Sequence, residues 1–136
     1  MKKVLIDTNV VIDVLTSRQP WHVDGEKIFI RIANNEIQGC ISASSITDIF
    51  YLLNKYSKTR SVARKAIENI LDLFTILDVT PEDCINALGL GIEDYEDALI
   101  IIVAVRHKID LIITRNVKDF ELSPIEIVTP NTYIKM

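Results

Sequence analysis

Acidic side chains stand beside apolar runs at four places in this sequence. Asp7 follows Val4-Leu5-Ile6, and Asp48 lies between Ile46 and Ile49. Asp94 and Asp97 are three residues apart, and Asp119 follows the loop Thr114-Arg115-Asn116-Val117-Lys118. On a helix, the spacing of Asp94 and Asp97 puts both on one face. If these carboxylates converge, they cannot all stay ionised without a compensating cation. Ligands that are all oxygen, with no His or Cys among them, select a hard ion such as Mg²⁺ or Mn²⁺. An ion held in this way activates water and clamps phosphate oxygens, which makes phosphodiester hydrolysis the chemistry to expect. Each acid also has an ordinary role open to it. Asp7 and Asp94 could cap helices, Asp48 and Asp97 could be helix N-terminal acids, and Asp119 could pair with Lys118. Taken singly these roles suffice, but they leave unexplained why acids recur at the ends of apolar segments.

The elements that must position these acids read as short apolar strands alternating with helices. Val4–Ile6, Gln38–Ile41, Phe74–Leu77, Leu111–Ile113 and Ile125–Val128 have strand character. A helix carrying Val10, Val11, Val14 and Leu15 closes at Ser17 to Pro20, and a second spans about 24–34. Ser44-Ser45 offers an N-cap for a helix with Ile46, Ile49, Phe50 and Leu53 inward, and Thr59 starts another through Ile70 and Leu71. Thr80-Pro81-Glu82-Asp83 is a strong helix start, with the stop expected near Gly89 or Gly91. The acidic cluster opens a mostly apolar helix from about Asp94 to Arg106. This alternation predicts an α/β fold with a parallel sheet covered on both faces, whose ligands gather beyond the carboxyl ends of the strands.

The chain has 136 residues and a mass of 15.4 kDa, the size of a single domain spanning 1–136. An apolar fraction of 49% and mean hydropathy of +0.23 exclude intrinsic disorder. Four Gly and four Pro exclude a collagen-like chain. The longest apolar run, Ala98 to Val105, is far short of the ~20 residues of a membrane span. Asp7 interrupts the N-terminal apolar run too early for a secretory signal. A soluble, cytoplasmic protein is expected, with Cys40 and Cys84 as reduced, buried thiols. His22 and His107 do not form a zinc-binding pair. The net charge of −4 and pI near 5.1 argue against wholesale coating of nucleic acid but leave a nuclease open. Lys55, Lys58, Arg60, Arg64 and Lys65 form a basic run that suits either RNA phosphates or a solvated helical surface. Trp21, Phe50, Tyr51 and Tyr95 suit base stacking, or packing in a core or dimer face.

Three motifs in order carry a family resemblance: Val4-Leu5-Ile6-Asp7-Thr8-Asn9, Asp94-Tyr95-Glu96-Asp97-Ala98-Leu99-Ile100, and Ile112-Ile113-Thr114-Arg115-Asn116-Val117-Lys118-Asp119-Phe120. With them the chain resembles PIN-domain proteins over essentially its full length, and in particular the short VapC-type toxins of toxin–antitoxin pairs. The resemblance implies a three-layer α/β/α domain with a parallel sheet of about five strands. It also implies Mg²⁺- or Mn²⁺-dependent RNA cleavage that leaves a 5′-phosphate and a 3′-hydroxyl, a homodimer, and an antitoxin partner. The family's four acidic positions fall on Asp7, Asp48, Asp97 and Asn116. Two of these depart from the pattern: Asp48 stands where Glu is usual and reaches about one methylene less far, and Asn116 is a neutral ligand in place of an acid. The resemblance implies site roles for Asp7, Asp48, Asp97 and Asn116. Beyond the resemblance, Asp94 and Asp119 are expected to supply the missing charge, which gives a catalytic set of Asp7, Asp48, Asp97 and Asp119 and a metal on Asp7, Asp94, Asp97 and Asn116. Asn9 and Thr114 would support these residues, and Arg115 and Lys118 would contact RNA phosphates.

Two other readings compete with a nuclease. One is a catalytically weak PIN-fold module that binds RNA or protein, which Asn116 and Asp48 favour. The other is a phosphatase of similar layered fold, disfavoured because Asp7-Thr8-Asn9 lacks a second acid two residues on. A dinucleotide-binding domain is disfavoured further, since no GxGxxG follows the first strand.

Overall fold

Successive strand residues point to opposite faces of a sheet, and in this chain both faces are apolar. The computed structural model describes residues 1–57 and 60–136, and of residue 60 the backbone. Strands β1 (Lys3–Ile6), β2 (Gln38–Ser42), β3 (Thr75–Leu77), β4 (Leu111–Ile113) and β5 (Glu126–Val128) pair in parallel in the order β3-β2-β1-β4-β5. Val4, Ile6, Leu111 and Ile113 point to one face, while Leu5 and Ile112 point to the other. The first face is covered by α1 (Thr8–Leu15), α2 (His22–Ala33), α3 (Ala43–Ser57), α4 (Arg60–Leu73) and the short α7 (Pro130–Ile134). The second is covered by α5 (Pro81–Leu88) and α6 (Tyr95–Arg106). This is the three-layer α/β/α arrangement that the alternating sequence pattern predicts.

The chain runs outward from β1 to β3, then crosses back to place β4 on the other side of β1. The order therefore reverses between β1 and β4, which makes the carboxyl ends of those two strands the crevice where open parallel sheets bind ligands. Helix α6 crosses the sheet behind that crevice. Six of its residues between Ala98 and Ala104 are buried, so its position is set by packing. Its far end is tied down by Arg106, which donates to both carboxylate oxygens of Asp83 and to the carbonyl and carboxylate of Asp78. Asp83 also completes a capping box with Thr80 at the start of α5.

Local chemistry departs from sequence expectation at several points. Ser44 and Ser45 lie inside the first turn of α3, and the capping oxygen is that of Ser42, which accepts from the Ser44 N–H at 3.3 Å. Strand β2 passes straight into the helix, so the cap belongs to the last strand residue. Asp94, by contrast, is the N-cap of α6, one of the roles expected for it. Helix α7 and a 3₁₀ turn at Val117–Phe120 were not expected. Cys40 and Cys84 are both free thiols; Cys40 is fully buried, with its thiol pushed up to about 11, but Cys84 is only half-buried. Trp21, Phe50, Tyr51 and Tyr95 all keep substantial exposure, so none packs into the core. Thr59 and Lys58 lie outside the described residues, as does the Arg60 side chain, while Arg64 and Lys65 both pair with Glu68 on the exposed side of α4. No helix among the described residues is long and apolar enough to cross a membrane.

Helix α2 lies so close to β2 that Gly39 has no room for a side chain. A Cβ there would meet Ile32 Cδ1 at 2.5 Å and Phe74 Cδ1 at 2.9 Å. Overfilling a packed core in this way typically costs about 1–3 kcal/mol. Gly39→Ala is expected to lower the unfolding free energy by that amount, seen as a lower urea midpoint at an unchanged m-value when unfolding is followed by circular dichroism.

Candidate active site

Parallel pairing of β1 with β4 sets Ile6 opposite Ile113, so Asp7 and Thr114 leave the sheet side by side. The Asp7 N–H donates to the Ile113 carbonyl at 3.0 Å, extending the ladder by one rung. The Asp7 side chain is only 6% exposed, and three donors hold it. The Thr114 hydroxyl, fully buried, donates to Oδ2 at 2.8 Å, Asn9 Nδ2 donates to the same oxygen at 3.2 Å, and the Thr8 N–H donates to Oδ1 at 2.8 Å as α1 begins. Asn9 and Thr114 are themselves fixed. Asn9 Oδ1 accepts from the Arg115 N–H at 3.4 Å, and Thr114 Oγ1 accepts from the Asn116 N–H at 3.1 Å. Burial raises the Asp7 pKa, the Thr114 and Thr8 hydrogen bonds oppose the rise, and the charges of Asp119 and Asp94 add to it.

Facing Asp7 across the crevice is the first turn of α6. Asp94 accepts from the Asp97 N–H at 3.2 Å and caps the helix. Asp97 is pushed up from the ordinary 3.8 to about 7, chiefly by burial, then by the charges of Asp94, Asp7, Asp119 and Glu96. Glu96 is also pushed up to about 7. Burial contributes most, followed by the charge of Asp48 and a hydrogen bond to it, then by Asp7 and Asp94.

These groups wall a cleft of about 340 Å³. Asp7, Asp94, Asp97, Asn116 and Asp119 line it, as do Asn9, Arg115 and Glu96. Asp48 reaches the site through Glu96 and is not itself on the wall. Thr114 lies beneath Asp7, out of the cleft. Lys118 lines a neighbouring cavity of about 500 Å³ that shares Asp94 and Asp119 with the cleft and adds Glu93 and Glu121. Sequence reasoning missed Glu96, because residues next to each other on a helix do not share a face; the open first turn lets both Glu96 and Asp97 border the cleft. It also missed Asp13. This buried carboxylate on α1 takes Arg115 Nε at 2.6 Å and Nη2 at 3.3 Å, pinning the loop after β4.

Among the described residues, no three His, Cys, Asp or Glu side chains are already drawn together as a metal cage. The donor set on the wall is nevertheless all oxygen and carries more like charge than it can keep ionised, a composition that suits a hard divalent cation.

A family model described as a PIN domain matches residues 3–118. No curated protein matches the chain. Among solved structures, VapBC2 from Rickettsia felis bound to a promoter DNA fragment superposes with a TM-score of 0.72 at 17% identity, covering 93% of this chain and 98% of that one. A toxin–antitoxin complex from Klebsiella pneumoniae gives 0.67 at 26% identity, over 93% and 97%. Mycobacterium tuberculosis VapC20, a sarcin-ricin loop cleaving toxin, gives 0.66 at 15% identity, over 80% and 86%.

The raised carboxyls predict how stability depends on pH. Asp97 and Glu96 hold protons in the folded protein at pH values where the unfolded chain has released them, so folding takes up protons between about 4 and 7. Stability of the metal-free protein therefore falls as pH rises through that window. Melting temperatures measured in EDTA should decline from pH 5 to 7.5, and Asp97→Asn should flatten the decline.

Proposed function

The chain belongs to the PIN-domain family, a family of nucleases, and from that premise we propose that its acidic cleft hydrolyses RNA phosphodiester bonds with the help of Mg²⁺ or Mn²⁺. The observation that carries this reading is the convergence of Asp7, Asp94, Asp97 and Asp119 on one cleft, with Asp97 pushed up to about 7 by its neighbours. Asp7, Asp94, Asp97 and Asn116 would hold the cation. When bound, it neutralises charge on the scissile phosphate and makes water more acidic. Asp119, exposed on the 3₁₀ turn, restores the negative charge that Asn116 lacks. Asp48 orients the attacking water or takes its proton, and Glu96, hydrogen-bonded to Asp48, supplies the reach that Asp48 lacks. Asn9 and Thr114 keep the Asp7 carboxylate aimed. Arg115 and Lys118 hold the phosphates on either side.

The reading extends to a cytoplasmic, single-domain toxin spanning 1–136, working as a homodimer and neutralised by an antitoxin protein. It is supported by neighbours that are toxin–antitoxin complexes. Asn116 favours a second reading, a slow enzyme or a binding module, because a neutral amide binds a cation less tightly than a carboxylate.

Cleavage of a mixed RNA panel separates the two. The wild type should cut in Mg²⁺ or Mn²⁺ and not in EDTA, and Asp7→Asn should lose at least 100-fold in rate, on the order of 3 kcal/mol of transition-state stabilisation. Asn116→Asp should raise cation affinity. No cutting by wild type or by Asn116→Asp, with RNA still bound, would establish the binding module instead.

A further inference from the structure

Resting on the RNA reading above, the surface beside the acidic cleft indicates where a nucleotide next to the reacting phosphate binds. Arg115 lines two hollows at once. One is the acidic cleft; the other is a cavity of about 280 Å³ formed with Trp21, Asp24, Thr129, Pro130 and Asn131. Trp21 is 42% exposed, and guanidinium groups steady its ring. Arg115 lies 4.4 Å and Arg18 5.5 Å from the ring centroid. Asp13 occupies Nε and Nη2 of Arg115, and Nη1 makes no hydrogen bond among the described residues. Arg18 lines the acidic cleft and makes no ion pair among the described residues. A strip of two cations thus separates the carboxylates from an aromatic wall. Beside that wall, Asn131 Nδ2 donates to Asp24 Oδ2 at 3.1 Å, which leaves the Asn131 carbonyl oxygen available as an acceptor.

We propose that this cavity is a nucleoside subsite. A base of single-stranded RNA packs against Trp21 and Pro130 and offers its edge to Asn131 and Asp24, while the adjoining phosphate lies over Arg18 and Arg115 and leads into the acidic cleft. Aromatic stacking with a guanidinium beside it is how single strands are held without strict sequence readout. The cavity is smaller than a drug-sized pocket, which suits one base and excludes a paired duplex.

Trp21 is the only tryptophan in the chain, so its fluorescence reports on this cavity alone. The test uses the Asp97→Asn protein, which keeps RNA uncut, titrated with oligoadenylate and oligouridylate octamers. Trp21 emission should change at saturation. By anisotropy of labelled octamer, Trp21→Ala should weaken binding about tenfold while Trp21→Phe restores most of it. Arg18→Gln should weaken binding and reduce the salt slope by about one. Asn131→Ala should change the ratio of the two octamers' affinities. Unchanged affinity in Trp21→Ala, or equal emission changes with an oligoglutamate peptide, would overturn the subsite while leaving metal-dependent cleavage by wild type intact. Absence of both RNA binding and wild-type cleavage would remove the RNA reading and the subsite together.

Discussion

The hydrogen bond from the Thr114 hydroxyl to Asp7 joins the ends of two adjacent parallel strands, and the site is built outward from it. It exists only because β4 returns beside β1 after the chain has run out to β3, a crossover that needs α5 and α6 to span the sheet. The same crossover carries the acidic first turn of α6 to the opposite side of the crevice. One topological event therefore supplies both the anchored carboxylate and its rivals. Burial, with the charges of Asp119 and Asp94, raises the Asp7 pKa, and the hydrogen bonds from Thr114 and Thr8 oppose that rise.

The acids across the crevice have no such help. Asp97 and Glu96 share space with Asp7, Asp94, Asp119 and Asp48, and among the described residues no cation forms an ion pair with either of them. Arg115 is bound to Asp13, and Arg106 is turned to Asp78 and Asp83 at the other end of α6. The fold thus stores unfavourable charge at one place and neutralises it elsewhere. Strained electrostatics of this kind concentrate at functional sites, because a ligand of opposite charge relieves them on binding.

Much of this was legible in the residues. Short apolar strands gave the parallel sheet, and Asp7 and the residues after Ile113, standing at strand ends, marked the crevice, while Asp97 was found from its spacing to Asp94 and from the family motif. What escaped was long in range or depended on detail at an element end. Asp13 and Arg115 are 102 residues apart, and nothing local in either marks the pair. Glu96 was passed over because helical spacing sets it off the Asp94–Asp97 face, whereas its partner Asp48 comes from a different helix. Helix α7 could have been found: Thr129-Pro130 repeats the Thr80-Pro81 start that was read correctly, and Thr129 Oγ1 caps it by accepting from the Thr132 N–H. The Ser44-Ser45 cap failed for a simpler reason. Ser42, still in the strand, is two residues closer to the sheet and takes the Ser44 N–H first.

The central claim is that the crowded carboxylates are made to receive a cation, and proton release on binding tests it most directly. Mn²⁺ titrated into the protein at pH 6.5 by calorimetry, in two buffers of different ionisation enthalpy, should show saturable binding and release of close to one proton. Asp97→Asn should lose most of both, because Asp97 at about 7 is the group that must give up its proton. No saturable heat at millimolar Mn²⁺, or binding with no proton released, would contradict the account.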